Sequence, residues 1–223
     1  STHILPLIVR GAGTGEGLRG MSGTIFNSDT FPTVFHDQTL SDTTADVMRR
    51  LKQVAPSVSV TLDISDVESW NNESYVLDKL GQVPQFGSDG QPPENIIDTT
   101  GYIDFLRAEE FAKQMHIKSG AKNMGKMVAF FDHSGALMVV TADGTRRPYD
   151  KDLDERDSVT AFWDLPHTTG SDIRISFLGE AAMIVGRHAK LYEISQSAMR
   201  LRQLGKGEQR LEVVKEVSGH DPA

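Results

Sequence analysis

The chain holds 223 residues, 38% hydrophobic and 24% charged, with a formal net charge of -8. That length supports one large domain, or a domain with a subsidiary lobe, around a hydrophobic core, and no apolar run approaches the roughly 18 residues that a membrane span needs. The absence of cysteine excludes disulfides, cysteine-ligated zinc and a thiol nucleophile, and fits a reducing, cytoplasmic compartment. The acidic balance argues against generic nucleic-acid binding, leaving only local basic patches around Lys118, Lys122 and Lys126 or from Arg200 to Arg210.

In chain order, residues 4–9 form a short apolar run that reads as a strand, followed by the glycine-rich stretch 11–17. A phosphate-binding Walker loop would end in Gly-Lys-Ser/Thr, whereas this one ends in Glu16-Gly17-Leu18-Arg19, so it reads as a connection. Ser41 and Asp42 head a helix with apolar Val47, Leu51 and Val54 that stops before Pro56. Residues 58–64 alternate apolar and polar as a half-buried strand does, and a polar helix is expected over 67–80. Pro84, Gly87, Gly90, Pro92 and Pro93 then mark 81–95 as an exposed linker or subdomain boundary. This divides the chain into an amino-terminal segment, 1–95, and a domain, 96–223.

Past the linker, a brief strand at 96–98 precedes a helix set by Ile103, Leu106, Phe111 and Met115. Strands are expected at 127–131, 137–141, 145–149, 159–163, 181–185 and 211–217, with a helix over 191–204 before the last. Strands alternating with helices predict an α/β fold: a mostly parallel sheet with helices on both faces. Ligands of such sheets sit beyond the strand carboxyl ends, which directs attention to the loop Asp164-Leu-Pro-His167-Thr168-Thr169-Gly170-Ser171-Asp172-Ile173. Its small and hydroxylated residues permit a tight turn beside a ligand, and Asp172 offers an acceptor for a ribose or an arginine. Read in isolation, Ser171 or Asp172 is a helix N-cap.

Three pieces in order, Met21-Ser22-Gly23-Thr24, His167-Thr168-Thr169-Gly170-Ser171-Asp172-Ile173 and Gln196-Ser-Ala-Met-Arg200-Leu-Arg202-Gln-Leu-Gly205, resemble motifs of superfamily 2 helicases and Swi/Snf-type translocases. There, a Ser-Gly/Ala-Thr motif closes the first RecA-like domain, a Thr-x-Gly-x-Asp loop follows a strand of the second, and a Gln-x3-Arg helix comes last. Closer still, residues 96–214 resemble a family of very long eukaryotic proteins carrying a domain of unknown function. Those proteins have a His-Thr-x-Gly-Ser/Thr-Asp loop and an Arg-x-Arg-x-Leu-Gly-Lys-Gly helix end.

The resemblance implies a three-layer RecA-like domain of P-loop NTPase type. In it Arg200 serves as an arginine finger toward a γ-phosphate, with Arg202 beside it, and Gln196 positions the helix at the cleft. Gly170 and Asp172 lie beside the ribose or couple the cleft to nucleic acid, while Ser22, Gly23 and Thr24 couple two domains. Helicases place their second arginine seven residues after the glutamine, where this chain has Gln203, and the closer family carries arginine at the position of Thr169.

Without a Walker lysine or acidic pair, the chain lacks the parts that phosphoryl transfer requires. It therefore reads as a fragment or degenerate copy that binds no cofactor alone and meets ATP and Mg only when docked to a Walker-containing RecA-like domain of the same parent protein. The alternative is a non-catalytic module on a decayed RecA-like scaffold that binds protein partners. Asp98-Thr99-Thr100-Gly101 is similar to the Asp-Thr-Gly of aspartic proteases but reads as a buried turn. The histidines, among them His36, His116, His133, His167 and His188, show no i, i+4 ligand spacing, so no metal site is expected.

Overall fold

The computed structural model describes residues 60–63, 72–83, 91–103, 105–120, 125–168, 171–186, 189, 191–201, 204 and 209–217. Eight strands form one sheet: β1 (Val60–Asp63), β2 (Asn95–Asp98), β3 (Met127–Phe131), β4 (Leu137–Val140), β5 (Arg146–Pro148), β6 (Val159–Trp163), β7 (Glu180–Val185) and β8 (Arg210–Val217). Their spatial order is β1-β8-β7-β2-β6-β3-β4-β5. The pairings from β1 through β3 are parallel, and β4 and β5 add an antiparallel hairpin at one side. The central strands are buried on both faces, which is why Val159-Thr-Ala-Phe-Trp163 and Ala181-Ala-Met-Ile-Val185 read as nearly continuous apolar runs.

Three α-helices flank the sheet among the described residues: α1 (Glu73–Gly81), α2 (Ala108–Lys118) and α3 (Leu191–Ala198). The Asn72 side chain caps α1 by accepting from the Tyr75 N–H at 3.3 Å, with Glu73 in the first turn and Lys79 in the last complementing the helix dipole. In α2, Ala108, Phe111, Ala112 and Met115 are the buried positions, spaced i, i+3, i+4, i+7. Helices α1 and α2 pack on one face against Ile96, Val128, Phe130, Phe162, Ala182 and Ile184. Phe111 and Phe162 meet there as a tilted pair with centroids 4.6 Å apart. The opposite face, with Ile97, Ala129, Ala161, Trp163 and Met183, is covered by Ala198, Leu201 and Leu204 and by Ile173 and Ile175 of an extended segment. The chain thus forms the expected three-layer α/β architecture, mostly parallel with helices on both faces.

Several boundaries differ from expectation. Residues 60–63 and 72–83 precede the boundary expected at 95, yet they belong to the same sheet and core: β1 pairs with β8, and Val76, Leu77, Leu80 and Val83 join the α2 cluster. Pro92 and Pro93, expected in an exposed linker, are buried; a proline brings no N–H that burial would orphan. The helix expected over 191–204 stops at Ala198, after which Arg200, Leu201 and Leu204 donate to carbonyls three residues back. Ser171 and Asp172 cap no helix, because 171–176 carries no helical assignment. At the start of β2, buried Asn95 donates to the Glu180 carbonyl and accepts from the Ala161 N–H, both at 2.9 Å, tying together the strands on either side. At the far side, Pro148 ends β5, Arg146 is bound by Glu109 and Asp132, and Arg147 by Asp154.

Candidate functional site

Parallel strands give the sheet two chemically different edges. At the carboxyl edge, β2, β6 and β3 are neighbours, and each runs directly into an aspartate: Asp98, Asp164 and Asp132. Ile97 pairs with Trp163 and Ala129 with Ala161, so continuing the registers places the three aspartates level on adjacent strands. Their carboxylates do different work.

Asp98 is fully buried, and its Oδ1 accepts from the Thr100 N–H and hydroxyl and from the Gly101 N–H, while Oδ2 accepts from the Ile103 N–H at 2.9 Å. Burial pushes this carboxyl above the ordinary range, opposed by those bonds. The Asp-Thr-Thr-Gly segment is therefore a turn, but only Asp98 in it is buried as expected; Thr99 and Thr100 are half-buried and Gly101 is exposed. Asp132 organises the β3–β4 turn the same way, accepting from the Ser134 N–H and hydroxyl and the Ala136 N–H, and it pairs with Arg146 at 2.6 Å. The Ser134 hydroxyl leads the causes that hold Asp132 below the ordinary carboxyl range.

Asp164 instead holds a histidine. Its Oδ1 lies 2.6 Å from His167 Nδ1, and its buried Oδ2 has no hydrogen-bond partner among the described residues. Burial pushes Asp164 up, with the His167 contact opposing. The imidazole stacks on Phe131, with centroids 4.1 Å apart and planes 7° from parallel. Gly135, at φ 78°, faces Nε2, where an added Cβ would lie 3.6 Å away.

The amino edge carries the second arrangement. Helix α3 follows β7 and precedes β8, so it runs back across the sheet and delivers its last turn to the amino edge. There Arg200 lines a cleft of about 190 Å³ with Arg156, Asp172, Arg174, Phe177 and Gln209. Arg156 lies just ahead of β6, and Gln209, just ahead of β8, donates to the Ser176 carbonyl at 2.7 Å. Arg200 is buried, with Nε and Nη1 shut off from solvent. The Arg156 guanidinium sits 3.8 Å from the centroid of the Phe177 ring, a cation–π contact, and Phe177 is itself about half exposed.

Of the residues singled out by sequence, Asp172 and Arg200 therefore share one cleft. Gln196 is half-buried within α3 and does not line that cleft. Ser22, Gly23, Thr24, Gly170 and Arg202 lie outside the described residues. Arg156, Arg174 and Phe177 were not foreseen; the only sequence signal was arginine placed beside the apolar positions of Ile173-Arg174-Ile175 and ahead of a strand. No group of three or more histidine or acidic side chains among the described residues is arranged to hold a metal ion. Nor is any helix among them long and apolar enough to cross a membrane. No family model, curated protein or solved structure matches the chain.

Proposed function

We propose that this domain completes a nucleotide cleft for a partner domain, as the second RecA-like domain of superfamily 2 helicases and translocases does, with Arg200 directed at phosphate oxygens. The observation that carries the reading is the gathering of Arg156, Arg174 and Arg200 around one cleft in a chain whose net charge is -8. Guanidinium groups stay charged at any working pH and offer planar forks that match phosphate, and exclusion of solvent around Arg200 strengthens that attraction. The donor set fits phosphates but not magnesium, because Asp172 is the cleft's one carboxylate among its described lining residues. The metal ligands and the Walker lysine would belong to the partner domain, which supplies the chemistry of phosphoryl transfer. This chain's contribution is to neutralise and orient, and alone it should turn over no ATP.

Calorimetric titration with ATP, ADP and single-stranded RNA tests the reading. Weak ATP binding that falls at least tenfold in Arg200→Ala supports it; binding of unchanged affinity in the variant refutes it, and no binding by either form favours the interaction module. A second reading, a protein-interaction module on the same scaffold, is favoured by exposed Phe177 and Leu178 on the turn beside the cleft. It predicts that Phe177→Ala weakens partner binding while Arg200→Ala does not.

A further inference from the structure

Three aspartates end three adjacent strands at one level, and two of them saturate both oxygens with neighbouring donors. Asp164 does not. It leaves one buried oxygen without a hydrogen bond among the described residues and commits the other to an imidazole. A carboxylate oxygen kept out of water with no donor is a costly exception in a folded protein, and its neighbours show that this edge readily supplies backbone donors.

We propose that Asp164 and His167 form a proton-transfer pair at the carboxyl edge, with His167 Nε2 acting as general base and acid toward water and an uncharged acyl ester. Asp164 is the positioning residue: accepting from Nδ1–H fixes the tautomer that leaves the Nε2 lone pair facing outward. Phe131 holds the ring plane by stacking. Gly135 presents no side chain to Nε2, where an added Cβ would lie 3.6 Å away. The surrounding charges decide the substrate class. Among the described residues the charges that end β2, β6 and β3 are carboxylates, and the nearby guanidinium of Arg146 is already taken up by Glu109 and Asp132, so an anionic phosphoester would find repulsion there.

In the reaction, Nε2 takes a proton from water as the water oxygen bonds to the acyl carbon. The carbon–oxygen bond to the alcohol then breaks, and the proton on Nε2 passes to the departing oxygen. Acid and alcohol form with no change of oxidation state. The site is separate from the arginine cleft, so neither proposal depends on the other.

The test is hydrolysis of p-nitrophenyl acetate by the whole chain across pH 5 to 9, beside the His167→Gln and Asp164→Asn variants, together with the rate at which diethyl pyrocarbonate modifies each histidine of the wild-type chain. The expected results are turnover by the wild-type chain, a loss of at least tenfold in both variants, and modification of His167 faster than that of exposed His133. Absence of turnover by the wild-type chain, or a wild-type rate in His167→Gln, overturns the proposal. Should a variant fail to fold, the histidine modification decides: His167 reacting no faster than His133 rejects the pair.

Discussion

Asp98 is the residue on which the turn between β2 and α2 depends, and replacing it separates hydrogen bonding from charge. In Asp98→Ala the N–H groups of Thr100, Gly101 and Ile103 all lose their acceptor. The buried Ile103 N–H left without an acceptor costs about 1–3 kcal/mol, while those of half-buried Thr100 and exposed Gly101 can turn to water and lose about 0.5–1.5 kcal/mol each. A loss of about 3 kcal/mol follows, a large share of the roughly 5–15 kcal/mol that stabilises a typical domain. Asp98→Asn keeps one oxygen for Thr100 and Gly101 and turns an amide toward Ile103, so about 1–2 kcal/mol is expected. The two variants also differ in pH response. Because burial raises the folded carboxyl above its unfolded value, the stability linked to Asp98 is full below about pH 4 and is lost as pH rises through the folded value. Asparagine has no such loss, so its deficit relative to wild type should narrow as pH rises above that point. Urea unfolding followed by tryptophan fluorescence, with Trp163 fully buried, reads both effects. An Asp98→Ala cost below about 1 kcal/mol, or equal costs for the two variants, would refute the assignment of the carboxylate as the acceptor that shapes this turn.

Phe111→Ala should cost about 3–5 kcal/mol in unfolding free energy, and a double-mutant cycle with Phe162→Ala should return a coupling of about 0.5–1.5 kcal/mol for the tilted ring pair. Asn95→Asp removes the donor to the Glu180 carbonyl and sets a carboxylate against it, so a loss of about 2–3 kcal/mol at pH 7 that shrinks on acidification is expected from urea unfolding. Asp132 and Asp154 have folded values lowered chiefly by the Ser134 hydroxyl and by Arg147 respectively, and Asp143 is lowered to about 2 by the Thr141 hydroxyl and the N–H and hydroxyl of Thr145. Their contribution is present above the unfolded carboxyl value and lost as pH falls through the folded ones, so thermal unfolding temperature should drop below about pH 4. Asp154→Asn should flatten that drop.

The strands were legible because burial on both faces demands uninterrupted apolar runs, as in β6, and α2 was legible from Phe111 and Met115, although Leu106, read with them, is exposed and Ile103 lies ahead of the helix. The turn at Asp98 could also be read from its composition, though not that Gly101 in it is exposed. Prolines misled the reading of 91–95, where Pro92 and Pro93 signalled exposure although they lead into a buried strand. The aspartate row was invisible because it depends on which strands are neighbours: β2, β6 and β3 are adjacent in space but far apart in sequence. The arginine cleft was hidden for a related reason. Only the crossover through α3 brings Arg200 to the same edge as Arg156, at the opposite end of the strands from His167, although His167 and Asp172 are five positions apart in the loop that spans the sheet.

The hairpin that ends in Pro148 has a consequence for the protein in concentrated solution. An outer strand with free N–H and C=O groups is a template on which another molecule can extend the sheet. Here the outermost strand is only three residues long, ends in a residue with no N–H, and carries two arginines held by carboxylates. Pairing through this side would need those ion pairs to break for very few new bonds. Replacing Pro148 with valine and Arg146 with threonine should therefore raise the tendency to aggregate, measured by light scattering, by more than it changes the stability of the monomer.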